Sequence, residues 1–233
     1  MDLVSYMLAV PLVGLQALLF FLLLRGPSKE YLILLLYAGV QFATSALEFV
    51  LFTMGSRPNT PLYRWTYLGD EILLDLLLFL MVIVLTFRAT EGSPLRPAVG
   101  KLLTVVVCAA LVLPFVVLNR PLFTVRWFNG ASQLLNFGGA IMNLALWTAL
   151  IGSKRRDARL ITVSAGLGLM VTGAAIAWGL RQHVSDGGIV QVLFDKFGLI
   201  TQIVGTAIWC WAFRAARPAP SSPVAAVTTT NNV

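Results

Sequence analysis

Glu71 and Asp75 stand four residues apart in the stretch YLGDEILLDLLLFLMVIVLTF (67–87), with Asp70 beside them and almost nothing else polar after them. Carboxylates in an apolar helix can do two kinds of chemistry. They can bind a small cation or polar ligand, or they can relay protons. Residues four apart share a helical face, and Leu78 and Val82 continue that face as apolar side chains. At about 1.5 Å of rise per residue, Glu71 lies ~7 Å and Asp75 ~13 Å along the helix from Thr66, so the acids occupy one half of the segment.

Other segments carry polar side chains at the same level. Gln41, Thr44, Ser45 and Glu48 follow the i, i+3, i+4, i+7 spacing of one helical face. Gln133, Asn136 and Asn143 form a second face. Gln191, Asp195, Gly198 and Gln202 form a third, from which Lys196 is turned by about 100°. This convergence marks Glu48, Glu71, Asp75, Asp195 and Lys196 as candidate ligand or proton-relay residues, with Gln133, Asn136, Gln191 and Gln202 as supporting polar groups. The competing reading is interhelical glue. A polar contact between membrane helices is worth only ~1 kcal/mol, whereas a charge near the bilayer centre costs ~2.5–3.5 kcal/mol. Amides suit the glue reading, which is preferred for Gln133, Asn136 and Asn143. Several carboxylates at one level do not, and for Glu71 and Asp75 the functional reading is preferred.

The elements that must position these residues are membrane spans. Hydrophobic residues make up 58% of the 233 and charged residues 12%, with a mean hydropathy of +0.84. That charged fraction is about half of what soluble domains carry, and the apolar residues fall in runs long enough to cross a bilayer. The expected spans are 3–24, 31–54, 66–87, 102–119, 129–152, 160–180 and 189–213, giving an all-α polytopic bundle of seven helices. Residues 1–216 read as one transmembrane domain and 217–233 as a disordered cytoplasmic tail rich in Pro, Ser, Thr and Asn. The first segment has no basic flank and no small-x-small cleavage pattern, and reads as a retained span. In the sixth segment Ser164, Gly168, Thr172, Ala175 and Gly179 make a small-residue stripe suited to close helix packing.

Charge sets the expected orientation. Arg25, Lys29, Arg88, Arg96, Lys101, Lys154, Arg155, Arg156, Arg159, Arg214 and Arg217 fall on one side, against Arg57, Arg64, Arg120, Arg126 and Arg181 on the other. The positive-inside rule then places the N-terminus outside and the C-terminus in the cytoplasm, in a bacterial-type cytoplasmic (inner) membrane. Trp65, Trp127 and Trp178 fall near the outer span ends and Trp147, Trp209 and Trp211 near the inner ones, as interfacial belts would have it. The acids thus belong to the outer half. The net charge of +7 is used for topology and not for nucleic acid.

Enzyme signatures are missing: there is no P-loop, HExxH or GxSxG pattern. Lys196 opposite acids of the third span has a counterpart in retinal proteins, but it comes early in its span and their Arg/Trp/Thr pattern is missing. A Gly-Asp pair like that of Gly69–Asp70 occurs in intramembrane aspartyl proteases, but the partner motif falls in the wrong chain order. His183 with Cys108 and Cys210 gives no metal-ligand spacing, and no cofactor is implied. Both cysteines read as buried small apolar residues.

The third span also resembles small, uncharacterised seven-helix integral membrane proteins of bacterial genomes that carry a Y-W-x-x-E-A-L-x-x-L-L-x-F segment. Tyr67, Glu71, Leu73, Leu76, Leu77 and Phe79 occupy matching positions, while Leu68, Ile72 and Asp75 depart from the pattern. The resemblance covers one span and implies the seven-helix topology, with Glu71 as the characteristic acid; it implies no activity. The expected function is therefore a membrane protein binding a small polar or cationic ligand, as a sensor or transporter does. The alternative is an assembly subunit, with a membrane-protein partner or a second copy packed on the polar stripes.

Overall fold

The computed structural model describes residues 3–26, 30–53, 61–91, 96–117, 124–152, 157–181 and 189–214. Among them the chain is entirely helical: α1 (Leu3–Arg25), α2 (Leu32–Thr53), α3 (Pro61–Ala89), α4 (Arg96–Val117), α5 (Val125–Gly152), α6 (Ala158–Arg181) and α7 (Ile189–Arg214). Five helices are long and apolar enough to cross a membrane, namely α3, α4, α5, α6 and α7. Two shorter apolar stretches, Val10–Arg25 and Leu32–Glu48, lie within α1 and α2. The side chains of Gln191 and Asp195, and the tail from residue 215, lie outside the described residues.

Local chemistry explains several ends. Pro61 opens α3, where its missing N–H costs nothing. The Thr124 hydroxyl accepts the Trp127 amide at the start of α5 (3.3 Å), and Asp157 Oδ1 accepts the amides of Arg159 and Leu160 at the start of α6 (2.9 and 3.2 Å). Pro61 and the Thr124 cap begin α3 and α5 earlier than the apolar runs indicated. Inside the helices the hydroxyls of Thr86, Thr104, Thr148, Thr162 and Thr206 donate to the carbonyl four residues back. Such bonds satisfy a hydroxyl without calling on a neighbouring helix.

The helices pack in the order α1, α2, α3, α5, α6, α7, with α7 returning to α1. The α6–α7 interface is the most extensive, followed by α3–α5. α3 is the hub, touching α2, α4, α5 and α6. α4 lies outside this ring against α3 and α5, and only 11% of its spanning window is buried, against 50% for α6.

Tryptophan and glycine fix the tightest seam. Gly166 and Gly205 meet so closely that a Cβ on Gly166 would stand 2.6 Å from Trp209 Nε1 and 2.9 Å from the Gly205 carbonyl. Trp209 is fully buried and donates to the Val163 carbonyl (2.8 Å). It is a core residue, which corrects its assignment to an interfacial belt; the indole N–H finds its acceptor on α6 instead of at a headgroup. Trp65 and Trp211 are exposed, as belt residues are. The small-residue stripe of α6 holds in part: Gly168 and Gly179 lie close against Asn143 and Phe137 of α5, whereas Thr172 is exposed and the close approaches to α7 come from Gly166 and Gly173. Cys108 is exposed on the peripheral α4, also contrary to expectation, while Cys210 is buried.

The apolar core is one-sided. Leu23, Leu34, Met81, Val82, Leu146, Val163, Leu167 and Trp209 are all completely buried. They come from the ends of α1, α3, α5 and α7 and the beginnings of α2 and α6. We call this the basic end, since Arg25, Arg88, Arg96, Arg159 and Arg214 flank it.

Candidate functional site

Beyond the apolar core, toward the other end of the bundle, polar side chains take over the interior. Asp75 is buried where α3 packs on α5. The Ser132 hydroxyl donates to its Oδ2, and Asn136 lies against the same carboxyl. Asn136 Nδ2 in turn donates to the Ser132 carbonyl (3.0 Å), which locks the pair one turn apart on α5.

Asp70 serves the opposite side of α3. Five residues along a helix turn the side chain by about 140°, so Asp70 looks toward α2 while Asp75 looks toward α5. The half-buried Asp70 carboxyl lies beside the Thr44 hydroxyl, and its Oδ1 is buried with no hydrogen-bond partner among the described residues. Thr44 itself donates to the carbonyls of Val40 (3.0 Å) and Gln41 (3.1 Å). Glu48, one turn further along α2, is half-buried within electrostatic reach of Asp70, and Asp70 is within reach of Asp75. Three carboxylates from two helices therefore share one interior region.

Tyr37 forms the floor of that region. It is completely buried, and its ring meets Trp209 edge-on at 5.7 Å and 88°. Its hydroxyl approaches Gln202 of α7 without closing a hydrogen bond of good geometry, and it feels the charges of Asp75 and Asp70. A buried phenol without a firm partner is costly, and here it faces the acids. Gln16 of α1, also buried, accepts a long hydrogen bond from Ser45 (3.4 Å), carrying the polar lining to a further helix.

Other expected residues fall around this core. Glu71, Gln133 and Lys196 are half-buried, and each is engaged with neighbours. Gln41, Asn136 and Asn143 are buried, and Gln202 is half-buried. The expectations for Asp195 and Gln191 lie outside the described residues. Sequence reasoning saw Asp70 beside Glu71 but left it out of the candidate set, and passed over Ser132, Tyr37 and Gln16. Asp70 had a signal, being the acid five positions from Asp75; Tyr37 had none, because an aromatic among leucines reads as core.

Among the described residues no lysine or arginine pairs with Glu48, Asp70 or Asp75. No group of three His, Cys, Asp or Glu is placed to hold a metal ion there either. The arrangement can hold protons, or a cation too diffuse to need close chelation. Compared with known proteins, the chain matches no family model, no curated protein and no solved structure.

Proposed function

We propose that this chain is a seven-span protein of a bacterial-type cytoplasmic membrane, with its N-terminus outside, whose acidic interior binds a small polar or cationic ligand as a sensor or transporter does. The observation that carries the reading is the convergence of Glu48, Asp70 and Asp75 with no basic partner among the described residues, above the unsatisfied Tyr37 hydroxyl. Like charges this close in a medium of low dielectric cannot all persist. They are neutralised by protons, solvated by water, or balanced by a cation that enters. Lys196, Glu71, Asp195 and Gln191 belong to the same level of the bundle and complete the proposed site.

The enclosure of the polar stripes supports a ligand over a partner helix. Gln41, Asn136 and Asn143 are all at least nine-tenths buried, whereas stripes awaiting a partner would face outward. The orientation follows from the distribution of Lys and Arg, and seven spans are proposed from the seven helices, five of which are long and apolar enough to cross a membrane.

The test uses the intact chain in vesicles loaded with a pH-sensitive dye, challenged with a gradient of choline or tetramethylammonium. Wild type should bind the cation or exchange it for protons. Asp75→Asn and Asp70→Asn should lose that response while melting within a few degrees of wild type, since an amide still hydrogen-bonds across helices. Glu71→Gln separates the characteristic acid from the other two. Unchanged responses in all three variants would reject the site. Cysteines placed in residues 55–62 should label from outside; labelling only from the cytoplasm would invert the orientation.

A further inference from the structure

The thin attachment of α4 leaves a groove of about 570 Å³ between it and α3, far from the acids. Its walls are almost wholly apolar: Ile83, Val84 and Phe87 on one side, and on the other Leu103 and Val107 beside the row Gly100, Thr104 and Cys108. That row is spaced by four, so it forms one face running about 12 Å along α4. Its residues are small. A Cβ on Gly100 would touch nothing closer than the Phe87 ring at 4.0 Å, so the groove is open there. The Thr104 hydroxyl is satisfied by the Gly100 carbonyl (3.0 Å), so it asks nothing polar of an occupant.

The two ends of the groove differ. Arg96 lies one turn before Gly100 on the same row, and its guanidinium carbon stands 4.6 Å over the Phe87 ring. Stacking fixes a guanidinium in place by its face and leaves its N–H edges available for an anion. Among the described residues Arg96 makes no ion pair. Lys101, exposed one position after Gly100, is a further cation at the same end of α4, turned about 100° from the row. An apolar slot with a cationic mouth at one end matches an amphiphile carrying an anionic head.

We propose that this groove binds an anionic phospholipid, one acyl chain lying along the Gly100–Thr104–Cys108 row and the phosphate meeting Arg96. The proposal needs the chain to lie in a bilayer but is independent of the acidic interior. A partner helix or a second copy of this chain could fill an apolar slot as well, but the cation at one end of an otherwise apolar slot fits an amphiphile with an anionic head.

Native mass spectrometry of the full chain, extracted from vesicles of equimolar phosphatidylglycerol and phosphatidylcholine, tests it. One phosphatidylglycerol should stay bound per chain in preference to phosphatidylcholine. Arg96→Gln should lower that preference about fivefold, the effect of one surface cation on an anionic lipid. Arg96→Lys should keep most of it. Gly100→Leu, which fills the groove, should abolish retention of the bound lipid, and Thr104→Leu should do the same from the next turn if the first variant folds poorly. An unchanged preference in Arg96→Gln overturns the proposal. So does a wild-type dimer that Gly100→Leu converts to monomer, which would make a second copy the occupant.

Discussion

The two halves of the bundle treat charge in opposite ways. At the basic end Arg88 donates to Glu30 twice, to its carbonyl (2.9 Å) and its carboxylate (2.7 Å), and lies 4.7 Å over the Tyr31 ring. Tyr31 meets Phe213 edge-on at 5.1 Å, and Arg159 covers that phenyl ring in turn. Arg88, Arg96 and Arg159 there each lie on an acid or an aromatic face, above a mainly apolar core. In the other half, Glu48, Asp70 and Asp75 have hydroxyls, amides and one another. The fully buried apolar packing is concentrated in the first half, and the proposed ligand site lies in the second.

The sharpest way to break this contrast is to remove the core of the basic half. Trp209→Ala deletes the side chain that joins α2, α6 and α7, and should cost about 3–5 kcal/mol, read as a large drop in the melting temperature of the purified protein. Ser132→Ala should cost less, about 1–3 kcal/mol, because it strips a buried carboxyl of its donor; Asp75→Asn in the same background should recover part of the loss. At the rim, Arg88→Ala should cost about 1 kcal/mol through its stack and hydrogen bonds, whereas Glu30→Gln should cost under about 0.5 kcal/mol, since that carboxylate is largely exposed. A larger effect from Glu30→Gln than from Arg88→Ala would mean that the ion pair, and not the stack, holds the basic end.

The helices were legible because apolar runs of membrane length have few other solutions. Their first turns were not, since Thr124 and Pro61 start helices in polar sequence that hydropathy cannot see. The level of the polar residues was legible from counting along the spans. Their partners were not. Spacing by four joins Glu71 to Asp75 on one face, but α3 is a hub with neighbours on several sides, and it gives Asp70 to α2 and Asp75 to α5. Which face of a helix matters depends on how many helices surround it, and a single sequence does not carry that number. Trp209 shows the same limit, since position near a span end does not tell a core indole from an interfacial one.

The backbones of α2 and α7 do not pack against each other among the described residues, yet two aromatic rungs, Tyr31–Phe213 and Tyr37–Trp209, bridge them. Both rungs lie in the first six residues or so of that side of α2, roughly 9 Å apart along its axis. Beyond Tyr37 the bridge among the described residues is the approach of its hydroxyl to Gln202. The seam is therefore fastened like a clothes peg at the basic end, with α1 laid against both of its arms. A solute entering by this route would have to displace α1 as well as part Tyr37 from Gln202.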